Sequence, residues 1–109
     1  MEQQIKQFNQ QLKSLSTYQE KRNFIYYFIQ QLDTTDLRII PLYKNALVQL
    51  NKINKSVLDT LINTRKLDNV IYNKTEVIKA LKIEIKSTRD TINKLNAMIR
   101  TIKREMFIG

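Results

Sequence analysis

The chain has almost none of the residues that reverse a polypeptide. Its one glycine is Gly109, the last residue, and its one proline is Pro41. Average usage is about 7% for glycine and about 5% for proline. Sandwiches, barrels and doubly wound α/β folds place those residues in their many tight turns, so such folds are excluded. An all-α chain remains. Neither residue occurs over residues 42–108, and that stretch is expected to be helical throughout.

Hydrophobic spacing divides the chain in two. Ile5, Phe8, Leu12 and Leu15 recur at intervals of 3, 4 and 3, the stripe of an amphipathic helix. That helix is expected over residues 2–32. From Phe24 to Ile29 apolar residues surround it, so this portion should be the most buried. Lys21 and Arg22 beside Phe24, Tyr26, Tyr27 and Phe28 mix charge with aromatic rings, but rings at helical spacing read as core. Asp33, Thr34, Thr35 and Asp36 end the helix, because short polar side chains bond to their own backbone and favour turns. Pro41 then fits the first turn of a second helix, where its missing N–H costs nothing.

The second part carries a seven-residue repeat. Leu50, Val57, Thr64, Ile71, Ile78, Ile85, Ile92, Ile99 and Met106 occupy one position of it, a. Three residues after each of the first eight, Ile53, Thr60, Leu67, Lys74, Leu81, Thr88, Leu95 and Ile102 occupy position d. A repeat of 3.5 residues per turn predicts a coiled coil. Asn73 followed by Glu76 resembles a capping box and argues for a break there. Ile71 and Ile78 keep register across it, which favours one continuous helix.

The apolar stripe narrows along this helix. Ala46, Leu47, Val48, Leu50, Ile53, Val57, Leu58, Leu61 and Ile62 cover more than one face, and beyond Leu67 little but the a/d positions remains. A wide stripe needs two neighbours and a narrow one needs one. The expected architecture is an antiparallel helical hairpin with a long second helix. Residues 1–40 form the first helix and turn; residues 41–109 form the long one. Its proximal half packs on the first helix, and its distal half projects as a coiled coil. The expected partner seam is Ile71, Lys74, Ile78, Leu81, Ile85, Ile92, Leu95, Ile99, Ile102 and Met106.

The charges bear on the partner. In a parallel homodimer Lys74 would face its own copy. Lys82 and Lys103 at e would meet Val77 and Met98, although Arg89 could meet Glu84 at g. A hetero-oligomer with other helical proteins is therefore preferred over a homodimer. The net charge of +9 and pI near 9.9 also suit an acidic ligand, nucleic acid above all. Codons rich in A and T give the same bias toward lysine. Basic residues of the distal half read as interspersed with acids, the pattern of a solvated face.

Neither cysteine nor histidine occurs, which excludes disulfides, Cys/His metal sites, thiol chemistry and His-based triads. Asp33 and Asp36 lack the partners that acid–base chemistry needs. No metal, no cofactor and no enzymatic activity are expected. No run approaches the ~20 apolar residues that cross a bilayer, and the N-terminus lacks the pattern of a secretory signal. The sequence thus predicts a structural or adaptor subunit, cytoplasmic or nuclear, acting through its coiled coil. A basic protein associated with nucleic acid, chromosomal or viral, is the alternative.

Overall fold

A computed structural model describes residues 2–63 and 71–108, the side chains of 71–74 and 105–108 excepted. Helices α1 (Glu2–Lys13), α2 (Tyr18–Gln30), α3 (Ile40–Asn63) and α4 (Ile71–Ile108) account for nearly all of it, with a single 3-10 turn at Leu37–Ile39. Among the described residues there is no strand.

The expected first helix is two helices. Ser14, Ser16 and Thr17 interrupt it, since hydroxyl side chains compete for backbone hydrogen bonds. The Ser14 hydroxyl donates to the Gln11 carbonyl at 2.6 Å. Thr17, extended at φ −110°, caps α2: its Oγ1 accepts from the Glu20 N–H at 3.1 Å and donates to Glu20 Oε1 at 2.9 Å. α1 then doubles back on α2, and Phe8 meets Phe24 and Phe28 at centroid distances of 5.3 and 4.5 Å.

Residues 33–36 form the expected turn. The Asp33 carboxylate accepts from the Thr35 N–H at 3.0 Å, and Asp36 caps the 3-10 turn through the Arg38 N–H at 3.0 Å. Pro41 is the second residue of α3. α2 runs antiparallel to α3, so that Tyr18 reaches Asn54 while Ile29 lies beside Ile40 and Leu47. α1 runs in the same sense as α3: Asn45 donates to Asn9 at 2.8 Å, and Phe8 and Leu12 share a core with Ile25, Ala46 and Leu50. The antiparallel placement expected for the whole of residues 2–32 therefore holds for α2 alone.

The larger correction concerns the long helix. α3 ends at Asn63, α4 begins at Ile71, and the two pack against each other along their lengths. Residues 64–70, including Thr64 and Leu67 of the repeat, lie outside the described residues. Asn73 falls inside the first turn of α4. Asn51 is close to the Ile85 carbonyl and Asn54 to Glu84, while Leu47 shares a core with Leu95, so the pair is antiparallel. The wide stripe of α3 does have two neighbours, α1 with α2 on one side and α4 on the other. The second neighbour comes from the same chain because α4 carries an apolar stripe that has to be buried somewhere, and tertiary burial supplies most helix stability.

Candidate nucleic-acid interface

The residues expected to meet a partner protein face α3. Leu81, Ile85 and Leu95 are buried, at 5–6% exposure. Ile92, Ile99 and Ile102 pack with Leu95 against Ile40 and Leu47. Ile78 is half-buried. The side chains of Ile71, Lys74 and Met106 lie outside the described residues. The distal half therefore does not project as a free coiled coil; its stripe is occupied within the chain.

A polar layer crosses this core. Glu84, on α4, receives Arg22 of α2 at 2.8 Å, the Tyr26 hydroxyl of α2, and the Asn54 amide of α3 at 2.7 Å. Tyr18 donates to the other side of Asn54 at 2.7 Å. The Arg22 guanidinium also lies 4.7 Å from the Tyr26 ring centroid. Burial alone would raise the Glu84 pKa. The hydrogen bonds from Tyr26, Arg22 and Asn54, with the Arg22 charge, outweigh it and hold the carboxyl below its usual range. Tyr26 is pushed up to about 12, by burial first and by its bond to Glu84 second. A carboxylate with both oxygens engaged and a depressed pKa is a poor proton acceptor; its chemistry here is to tie three helices together. Asn51 adjoins the layer, buried, and its Oδ1 finds no donor among the described residues.

One flank of α4 is rich in cations. In the same seven-residue frame, positions b and e run side by side up the helix. Position b holds Lys79, Lys86, Asn93 and Arg100, and position e holds Lys82, Arg89, Asn96 and Lys103. All are exposed except the half-buried Asn96. None of these cations is in an ion pair among the described residues. The acids of α4 are fewer: Glu76 and Asp90 stand at f, which borders b, and Glu84 and Glu105 at g. Residues 79–103 span about 36 Å at 1.5 Å per residue.

No protein-family model, curated protein or solved structure matches the chain. The physical properties of the lane must carry the argument. Its lower edge meets α3 at a groove of about 500 Å³, where Lys44 and Lys103 stand over a floor of Ile5, Pro41, Val48 and Ile99. Lys52 and Lys55 are exposed 8 and 11 residues beyond Lys44, with the exposed Asp59 four residues after Lys55. Lys44 of α3 and Lys103 of α4 thus come together at this groove.

Like charges three or four residues apart destabilise a helix by a few tenths of a kcal/mol per pair. The sequence reading missed the lane because it followed e and g and counted the remaining charges together; sorting them by helical angle reveals it. Among the described residues there is no cluster of acids suited to a metal, and no helix is long and apolar enough to cross a membrane.

Proposed function

We propose that the chain is a non-catalytic helical module, acting inside the cell, that binds nucleic acid through the basic lane of α4. The observation that carries this reading is the band of six exposed cations, Lys79, Lys82, Lys86, Arg89, Arg100 and Lys103, which outnumber the acids Glu76 and Asp90 at its border. Within Lys79–Arg89 and within Arg100–Lys103 they are roughly 5 Å apart along the axis, which lets several meet phosphates together, and counterion release then drives association. The adaptor reading, in which another helical protein meets the a/d stripe, requires Ile85 and Leu95 to leave α3. The lane requires no rearrangement.

Fluorescence anisotropy of the full chain with a labelled 20-base-pair duplex, from 50 to 200 mM salt, tests the proposal. Affinity should fall linearly with log salt, with a slope of about −0.9 for each phosphate neutralised. Replacing Lys82, Lys86 and Arg89 by Gln should reduce that slope by about 2 to 3. Absence of binding at 50 mM salt, or an unchanged slope in the triple variant, would overturn it.

A further inference from the structure

The groove beneath Lys44 and Lys103 opens where α1 and α4 flank α3. Among the described residues the backbones of α1 and α4 do not approach each other, so a strip of α3 stays uncovered between them. Pro41, Lys44, Asn45 and Val48 make up that strip. Their spacing puts them on one face of the helix. Ile5 of α1 lines the groove with them, and so does Ile99 of α4, one turn before Lys103. The apolar members are all aliphatic, and each is only half-buried.

The polar members divide into satisfied and unsatisfied. The Asn45 amide donates to Asn9 at 2.8 Å and its oxygen accepts from Gln49 at 3.5 Å. Lys44 and Lys103 take part in no ion pair among the described residues. Lys44 is half-buried, the habit of a long stem laid on apolar surface with its ammonium turned to water. The lining holds no acid; Glu2, three residues before Ile5, is exposed and outside it. A space of about 500 Å³ between helices, mostly apolar with a few placed polar groups, has the form of a small-molecule site. Two unpaired cations call for one negative head group, and an aliphatic floor calls for an aliphatic tail. From Pro41 to Val48 the strip runs about 10 Å. That length suits a medium-length chain and gives a docked partner helix barely two turns of contact.

We propose that this groove binds the anion of a free medium-chain fatty acid. Lys44 and Lys103 hold the carboxylate, and the chain covers Ile5, Pro41, Val48 and Ile99. The proposal is independent of the ligand of the lane, with which it shares only Lys103.

Equilibrium dialysis of the full chain against sodium decanoate, kept below its micellar range, tests it. Binding should saturate at one molecule per chain. Octanoate and hexanoate should bind more weakly, by about fourfold for each methylene removed. Decylamine, with the opposite charge, should bind at least tenfold more weakly than decanoate. Lys44→Gln with Lys103→Gln should weaken decanoate about tenfold, the scale of a lost bond to a charged group. Val48→Phe fills the floor and should abolish binding with helicity at 222 nm unchanged; if helicity falls, the lysine variant and the comparison of head groups decide. Unsaturable binding, equal affinity for decylamine, or indifference to the lysine variant would each overturn the proposal. So would a dimer in sedimentation that Val48→Phe disperses, which would assign the groove to a second copy of the chain.

Discussion

Glu84 shows how much one residue can decide. Three helices donate to or pair with its two oxygens or carry them, and its side chain is only 22% exposed. Replacing it by Gln keeps the shape but removes the charge that Arg22, Tyr26 and Asn54 are arranged to meet. Hydrogen bonds to charged groups contribute about 1.5–3 kcal/mol each at most. Partial solvent screening reduces the Arg22 share, so a net loss of about 2 kcal/mol at pH 7 is expected. The pH dependence has a definite sign. The folded pKa lies below the ordinary carboxyl value, so the stabilisation is complete above about pH 5. It disappears as pH falls through the folded value. Urea denaturation of wild type and Glu84→Gln should therefore differ at pH 7 and converge toward pH 3. A constant difference at both pH values would show that the carboxylate's charge is not what the layer uses.

At the scale of elements, the caps decide where helices stop. Thr17→Ala should cost about 1 kcal/mol by removing the oxygen that receives the Glu20 N–H, read as a lower urea midpoint. The all-α class, the turn at residues 33–36 and the placement of Pro41 are legible in the sequence, because each follows from local chemistry. The break before Tyr18 was legible too, in the Thr17-x-x-Glu20 pattern. It was hidden by Leu12 and Leu15, which continue the apolar stripe past the last turn of α1. The reversal between α3 and α4 left a weaker trace. Glycine and proline are absent from residues 64–70, and the repeat keeps its phase across them. What decides the reversal is global: a stripe on α3 and a stripe on α4 belong to one chain. A tethered partner acts at roughly millimolar effective concentration, which favours it over a separate molecule. The lane of α4 was legible in principle, since helical angle is fixed by residue number.

For the whole molecule, α4 is the spine. Its 38 residues reach about 57 Å, close to the 61 Å length of the protein, which is only 26 by 20 Å across. Replacing Ile85 and Ile92 by Asp places charge against α3, at several kcal/mol per group. A domain this small has about 5–15 kcal/mol in total. Circular dichroism at 222 nm should show helicity lost across the whole chain. Retention of a folded proximal half would restore the projecting helix that the sequence suggested. The spine also has two sides with opposed tendencies. One face is drawn inward by apolar contact, while the b/e flank crowds positive charges that repel one another whenever the helix forms. Folding thus holds Lys79 to Arg89 in mutual opposition, and an anion laid along them relieves it. Ordinary salt does so weakly, by screening, and in the same act competes with any polyanion for the lane. The free protein should be steadier in the very solutions in which its ligand holds on least.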